Sequence, residues 1–454
     1  MSKGYHRMSR RIQGTDGELS SLVNAGIDAR ATLEDGSVLV FSDLDGPNDD
    51  LTTFTRSLGR LAPGTRVLRD LGHLGDDENI IILEKGHDAE DMPRLVNTLR
   101  SEYPTAFRPI FADDEQRYII TSYQSSDVLD RFLEQGLSHE SLVVPTQPIH
   151  PQRSSNLKRF AHLFDRAPNP RIARLLDRVT QEDLHYFATM LSGEHPQSTQ
   201  HTRHSKSADS LFAGDFVQQH FENNGFDTWR EKFMPNYCSN VIGDYRNATM
   251  YPDQYVIISG HLDDREANIN DPAARAPGAN DDGSGSAAMM TIAKVLGEAD
   301  VSFRRALRLV TWCGEEQGLY GSKFHANNAV ADGMDIFAMI QGDMLAVIEP
   351  NAKPAIGLVT RYTDPVLTSL VRDIVGRYLP DAQIFNQTAC CSDHQPFFEV
   401  GYPSAGFVEP IGYVGDPHYH KVTDLVERPD YSIEQLQLIT RAILACLLEL
   451  AELA

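Results

Sequence analysis

The sequence predicts an α/β protein whose sheet is mixed, mostly parallel and flanked by helices, preceded by a smaller α/β domain. Three observations favour this class. After residue 157, helical patterns alternate with compact apolar runs of strand length. Three of these runs lead directly into acidic or histidine clusters, as expected where ligands bind beyond the carboxyl ends of strands. With 454 residues, the chain also exceeds the roughly 250–300 residues at which single cores usually stop growing.

Two domains joined by a linker are therefore expected. A small α/β domain of unknown role is predicted over residues 1–145, because short β-rich runs alternate there with amphipathic stretches. Residues 146–157 have the proline and serine content of a linker, and residues 158–454 then form the larger domain. The predicted strands of the small domain are Ser37–Phe41, Asn79–Leu83 and Tyr118–Ser122, and Asp91–Ser101 is an amphipathic stretch.

The larger domain contains four apolar runs that we interpret as strands. They are Tyr255–Ser259, Ala306–Thr311, Ile336–Ile340 and Ser404–Val408. A helix is predicted over Ser286–Leu296, after a glycine-rich loop. The last predicted helix follows Ser432, whose side chain is expected to cap it while Gln435 reaches back in a capping box. Its apolar residues at helical spacing predict a buried face: Leu436, Ile439, Ile443, Leu447 and Leu450.

Composition excludes some classes of function. The chain has 64 acidic and 41 basic residues and a formal net charge of −23, so nucleic acid is not an expected partner. Five cysteines without a CxxC spacing indicate neither a zinc finger nor a disulfide framework. No signal peptide or apolar segment of membrane-spanning length is visible, so no membrane is expected and the cytoplasm is the default compartment, with secretion open if the chain is a processed form. The oligomeric state stays open.

Six polar clusters follow one another along the larger domain. They are His261-x-Asp263, Asp281-Asp282 among glycines, Glu315-Glu316, Asp343-Met344, Ser392-Asp393-His394 and His420-x-x-x-Asp424. A metal-ligating histidine usually donates its second ring nitrogen to a carboxylate, and an acid two residues away suits that contact. Two adjacent glutamates can divide their work, one ligating a metal and the other taking a proton from water. Alone, each cluster could also belong to an ordinary acidic loop, although the glutamate pair directly after an apolar strand favours a functional role. The order of the clusters carries the signal.

In this order, the clusters resemble the M28 family of metallopeptidases, which are zinc aminopeptidases with co-catalytic metals. The resemblance covers roughly residues 175–450. It implies a zinc-exopeptidase-like fold and two divalent metal ions, with Zn²⁺ as the expected metal. The implied activity is hydrolysis of peptide or small amide substrates, with release of N-terminal amino acids, by a water molecule bridging the two ions.

The resemblance also implies a role for each site residue. One ion would be held by Glu316 and His420, the other by His261 and Asp343, and Asp281 would bridge both. Glu315 would be the general acid/base. Asp263 would orient His261, and Asp282 would support the backbone that presents Asp281. His418 competes with His420 as a ligand, but only His420 has the spacing to Asp424.

The sequence departs from the family in one loop. Some members carry a tyrosine two positions before the cysteine of this loop, where Ala389 stands here. Those members also pair two cysteines around the loop, but the upstream position is Gln387, so Cys390 and Cys391 have no obvious partner.

Several other activities remain open. A carboxypeptidase or amidase could use the same two metals. A glutaminyl-cyclase-like enzyme with one zinc is disfavoured because five ligands for two metals are present. A non-catalytic binding protein would be expected to lack Glu315 or a ligand, and none is missing.

Overall fold

The computed structural model describes residues 156–454, apart from positions 165, 246, 270, 300, 388–391 and 413–414, and eight strands within residues 1–155. The chain divides into two compact units. The first comprises Met1–Ser155 with the short segments Ala326–Asp332 and Glu399–Gly401, and the second comprises the rest of the chain.

The eight strands before residue 156 form two antiparallel sheets of four. One has the order β2-β3-β1-β4 and the other β6-β7-β5-β8. The strands are β1 (Arg7–Gln13), β2 (Asp28–Thr32), β3 (Val38–Asp43), β4 (Arg66–Leu74), β5 (Glu78–Lys85), β6 (Phe107–Ala112), β7 (Tyr118–Tyr123) and β8 (Leu137–Ser141). The three predicted strands coincide with β3, β5 and β7. The amphipathic stretch Asp91–Ser101 and residues 146–155 of the predicted linker lie outside the described residues, so the predicted domain division stays a prediction.

The second unit contains an eight-stranded sheet with the order β15-β14-β16-β13-β11-β12-β10-β9. Its strands are β9 (Asp227–Glu231), β10 (Asn240–Tyr245), β11 (Ala248–His261), β12 (Phe303–Trp312), β13 (Asp335–Gly342), β14 (Ile356–Val359), β15 (Ile384–Gln387) and β16 (Ser404–Val408). Four neighbouring pairs are parallel and three are antiparallel. The predicted mixed, mostly parallel sheet is confirmed, and the four predicted strands lie within β11, β12, β13 and β16.

Helices flank this sheet. They are α1 (Asn156–Phe160), α2 (Pro170–Leu176), α3 (Gln181–Ser192), α4 (Asp209–Asn223), α5 (Gly283–Ala299), α6 (Tyr320–Ala331), α7 (Pro365–Tyr378), α8 (His394–Glu399) and α9 (Ile433–Leu450), with a 3₁₀ turn at Ala161–Leu163. Apolar side chains from α3, α5, α7 and α9 form one core cluster with those of the strands. The predicted helix Ser286–Leu296 lies within α5. None of the described helices is long and apolar enough to span a bilayer.

At the start of the last helix, α9, a contact with a residue distant in the sequence replaces part of the predicted capping box. Ser432 accepts a hydrogen bond from the main-chain nitrogen of Gln435 at 3.2 Å, as predicted for a cap. The side chain of Gln435 does not reach back, because it exchanges two hydrogen bonds with the main chain of Ala355. Only half of the predicted capping box therefore forms. All five apolar residues of the predicted stripe are fully buried.

The sheet order brings three strand ends together. Strands β13, β11 and β12 are adjacent and parallel, so their carboxyl ends lie at one edge of the sheet. His261 is the last residue of β11, Asp343 follows β13, and the two glutamates follow β12 after two residues. Residues that are far apart in the chain thus meet at this edge.

The cysteine spacing indicated no disulfide framework, but one pair of cysteines is bonded. Cys238 and Cys313 are bonded, with their Cα atoms 5.9 Å apart. The antiparallel pairing of β10 with β12 places Val241 opposite Thr311 and so brings these cysteines together across 75 residues of sequence. Cys446 is a buried free thiol. Cys390, Cys391 and Ala389 lie outside the described residues.

Candidate metal centre

Six titratable side chains form two adjacent groups at this edge of the sheet. The first group is His261, Glu315 and Asp343, and the second is Asp281, Glu316 and His420. Within each group, one nitrogen or oxygen of every residue lies within 4.8 Å of the others. The five predicted ligands therefore converge, and Glu315 lies beside them.

Asp281 connects the two groups. Its Oδ1 lies 3.2 Å from Nε2 of His261, and its Oδ2 lies 3.1 Å from Nε2 of His420. The same nitrogen of His261 is 3.6 Å from Oδ1 of Asp343, and that of His420 is 3.1 Å from Oε2 of Glu316. One carboxylate thus presents one oxygen to each group, which is the arrangement expected of a residue shared by two cations.

Among the described residues, each of the five predicted ligands has one buried atom without a hydrogen-bond partner. These atoms are Nε2 of His261, Oδ2 of Asp281, Oε1 of Glu316, Oδ1 of Asp343 and Nε2 of His420. An unsatisfied buried polar atom costs about 1–3 kcal/mol, and more when it is charged. Imidazole nitrogen and carboxylate oxygen are ligands that zinc accepts, so bound cations fit this donor set.

The electrostatics of the site also favour cations. Burial by itself lowers the pKa of His261, but the carboxylates of Glu315 and Asp343 raise it well above its ordinary value. Burial and Arg265 lower the pKa of His420, and Glu316 and Asp281 outweigh them and raise it. Both shifts have one physical cause, which is negative charge concentrated in a space with little water.

Asp263 holds the loop of the two glutamates. Its carboxylate accepts hydrogen bonds from the main-chain nitrogens of Glu315 and Glu316, both at 3.3 Å, and from Oγ of Ser205 at 2.6 Å. The ring of His261 is oriented differently from the expectation: its Nδ1 lies 3.0 Å from the main-chain oxygen of Asp263 and 3.7 Å from the carboxylate. The carbonyl of Asp263 therefore orients the histidine, and its carboxylate positions the glutamates.

Asp282 joins three segments of the site. Its carboxylate accepts hydrogen bonds from the main-chain nitrogens of His261 at 2.9 Å, Gly285 at 2.7 Å and Met344 at 3.2 Å. It is fully buried, and burial raises its pKa well above the ordinary value. Asp282 thus supports the backbone more widely than the expected role beside Asp281 alone.

Asp424 is a further positioning residue, which the sequence indicated only as a spacing. Its carboxylate accepts hydrogen bonds from the main-chain nitrogens of Asn280 and Asp281 at 3.0 and 3.1 Å. Arg428 pairs with Asp424 at 3.1 Å and makes two hydrogen bonds to Asp416. The loop that carries Asp281 is therefore held by a buried network of charges.

The buried Arg203 fixes the same loop from another direction, and no sequence pattern indicated it. Its guanidinium donates hydrogen bonds to the main-chain oxygens of Leu262, Pro277 and Gly278 at 2.7–2.8 Å. It also pairs with the buried Asp264 at 3.2 Å. Arg203 thereby ties the segment after β11 to the glycine-rich loop before α5.

Two other histidines, His418 and His394, are not members of the two groups. His418, the competitor of His420, has its Nδ1 2.8 Å from Oγ1 of Thr423. His394 of the Ser392-Asp393-His394 cluster is fully buried, its Nε2 lies 3.1 Å from the main-chain oxygen of Arg361, and burial lowers its pKa to about 4. The geometry thus favours His420 over His418.

Two groups of potential ligand atoms joined by one carboxylate define a candidate metal centre on an α/β fold. The chain is similar to known proteins in sequence and in fold. Residues 240–446 match the model of Peptidase family M28, which confirms the resemblance for this part of the chain.

Curated relatives carry the name leucine aminopeptidase 1. The protein of that name from Fusarium vanettenii is 33% identical over 184 residues, which cover 38% of this chain and 46% of the relative. The one from Pyrenophora tritici-repentis is 29% identical over 209 residues, which cover 44% of this chain and 53% of the relative. The chain spans about half the length of these curated relatives.

Two solved structures from Legionella pneumophila share the fold. LapA aminopeptidase superposes with a TM-score of 0.63 and 17% identity, covering 82% of this chain and 98% of that chain. LapB superposes with a TM-score of 0.64 and 17% identity, and the match covers 83% of this chain and 100% of LapB. These likenesses confirm the predicted fold class, a mixed, mostly parallel sheet flanked by helices.

Proposed function

We propose that this protein is an aminopeptidase that removes N-terminal residues from peptides with the help of two divalent metal ions, with Zn²⁺ as the expected metal. One observation carries the proposal: four side chains converge on Asp281, and each of these five residues has a buried ligand atom without a hydrogen-bond partner among the described residues. The matches to peptidase family M28 and to leucine aminopeptidases support this activity.

The five side chains would divide between the two ions. His261 and Asp343 would hold one ion, Glu316 and His420 the other, and Asp281 would serve both. Bound divalent ions would supply Lewis acidity, which polarises a carbonyl and lowers the pKa of water. The three carboxylates supply three negative charges against four positive ones, so an anionic nucleophile is favoured in the site.

Glu315 is assigned to proton transfer rather than to ligation. Its Oε2 lies 4.0 Å from Nε2 of His261, whereas Asp281 approaches the same nitrogen to 3.2 Å. Its side chain is 13% exposed, against 6% for Asp281 and 4% for Asp343, so it is more accessible to water than these two carboxylates. From there Glu315 can take a proton from the attacking water and give it to the leaving amine.

Asp263 keeps this arrangement in place. Because its carboxylate binds the main-chain nitrogens of both glutamates, the proton acceptor and a metal ligand are fixed by one buried group. Misplacement of a reacting group by about 1 Å can cost on the order of 100-fold in rate. Asp263 therefore acts as a positioning residue.

The first prediction concerns Glu315→Gln. Wild-type protein should cleave free aminoacyl amides and leave N-acetylated ones uncut, and chelator should abolish turnover. Glu315→Gln should lower kcat by roughly 100- to 10,000-fold, the usual contribution of a general base, while the metal content stays at two per chain. Steady-state kinetics and elemental mass spectrometry measure both quantities, with the exposed Glu349→Gln as the control.

Two results would contradict the proposal. Equal cleavage of blocked and free substrates would indicate a different amidase or peptidase activity on this site. Turnover that persists after complete removal of metal would exclude the metal mechanism.

A further inference from the structure

Arg265 is a cation in a site built from carboxylates, and the proposed mechanism gives it no role. Its Nε donates a hydrogen bond to Oε2 of Glu316 at 2.9 Å, the same oxygen that lies 3.1 Å from Nε2 of His420. One carboxylate oxygen thus separates the guanidinium from the group of ligands around His420.

The two terminal nitrogens of the Arg265 guanidinium can still donate hydrogen bonds to a ligand. Among the residues that the structure describes, Nη1 and Nη2 of Arg265 have no hydrogen-bond partner. The side chain is 14% exposed, close to the 13% of Glu315 and the 12% of His420 and well above the 3% of Glu316. The side chain of Arg265 is therefore as accessible to solvent as those of Glu315 and His420.

We propose that Arg265 recognises a carboxylate on the leaving fragment of the peptide, the part beyond the scissile bond. The two free nitrogens of a guanidinium form a planar fork that matches a carboxylate with two parallel hydrogen bonds. The cationic amino terminus of a substrate is repelled by this charge and attracted by the carboxylates, so it occupies the other side. The inference rests on the proposed function and extends it to substrate preference.

Two sources could supply such a carboxylate, and paired substrates separate them. Leu-Gly and its amide Leu-Gly-NH₂ test the terminal carboxylate of a dipeptide. Leu-Asp-NH₂ and Leu-Asn-NH₂ test an acidic side chain on the second residue. Wild-type protein should prefer the carboxylate member of at least one pair by roughly 10- to 100-fold in kcat/KM, the effect expected of a hydrogen-bonded charge pair.

Arg265→Gln should reduce that preference to nearly one. A merely structural Arg265, which only holds Glu316, would lower kcat/KM of both members of a pair equally and leave the ratio unchanged. Arg265→Lys keeps a positive charge beside Glu316 but lacks the planar fork, so it should retain metal and still lose most of the preference. The matched control is Arg275→Gln in the same segment, whose guanidinium contacts the main-chain oxygen of Ser192.

A binding measurement separates this inference from the activity. Calorimetric titration of metal-loaded Glu315→Gln protein should show tighter binding of the preferred member of the pair, and Glu315→Gln with Arg265→Gln should bind both members alike. A ratio near one in wild-type protein for both pairs, in turnover and in binding, would overturn the role of Arg265. Absence of all aminopeptidase turnover with the binding preference intact would instead remove the proposed function and leave the carboxylate site standing.

Discussion

The two groups of ligands are built in different ways. His261 and Asp343 belong to the first group and extend directly from the ends of adjacent parallel strands, so the register of the sheet sets their separation. Asp281 and His420 belong to the second group and lie in loops, between β11 and α5 and between β16 and α9. The second group therefore depends on buried charges that hold its loops, above all Asp424. Backbone pairing thus sets the positions of His261 and Asp343, whereas the positions of Asp281 and His420 depend on contacts between loops.

The largest effect is expected from Asp424→Ala. The change leaves the main-chain nitrogens of Asn280 and Asp281 unpaired and weakens the buried contacts of Arg428, which keeps its two hydrogen bonds to Asp416. Breaking a buried ion pair typically lowers the free energy of unfolding by about 3–5 kcal/mol. Because Arg428 keeps its bonds to Asp416, we expect a decrease of about 3 kcal/mol. Chemical denaturation measures the stability, and elemental analysis should show a metal content falling from two towards one per chain.

The exposed Asp381→Ala serves as the control for this change. Loss of both ions together, or of neither, would contradict the separate construction of the two groups.

An intermediate effect on metal binding is expected from removing the disulfide with Cys238→Ala and Cys313→Ala. The bond lies two residues before Glu315, on the loop that serves both groups. Disulfides typically contribute about 2–4 kcal/mol to the free energy of unfolding, so denaturation should show a loss of that size. Because the loop serves both groups, we expect the affinities for the two ions to fall together, as measured by metal titration; selective loss of one ion would argue against this.

The smallest effect is expected from Ser205→Ala. Its hydroxyl donates a hydrogen bond to the buried Asp263 and accepts one from the main-chain nitrogen of Gly314. A hydrogen bond to a charged group contributes about 1.5–3 kcal/mol to the free energy of unfolding. Because Asp263 keeps its bonds to the glutamate loop, we expect this free energy to fall by an amount near the lower value. Unchanged kcat and stability would show that Asp263 needs no support from this hydroxyl.

The sequence predicted the parts of the site that depend on local pattern. His261 and Asp343 stand next to apolar strands, and the glutamate pair follows a third, so strand ends and residue type together indicated them. The structure brings these together with Asp281 and His420 as the ordered motif led us to expect.

Contacts between distant residues were beyond the reach of the sequence. Ser205 is 58 residues from Asp263, and Cys238 is 75 residues from Cys313, and neither pair leaves a spacing signature. The hydrogen bond of His261 to a carbonyl instead of a carboxylate depends on side-chain torsions. The Gln435 half of the capping box does not form, because the side-chain amide of Gln435 bonds to the main chain of Ala355, which is 80 residues away in the sequence.

If the proposed function holds, the two oxygens of Asp281 have a consequence for the order in which two ions bind. If each oxygen takes one ion, then the first cation to arrive orders the carboxylate that the second one needs, and it also adds a positive charge that the second one must approach. Occupancy at one position then alters affinity at the other, and by thermodynamic linkage the coupling is the same in both directions. A half-loaded protein would thus be a distinct species with its own affinity, rather than an average of empty and full molecules.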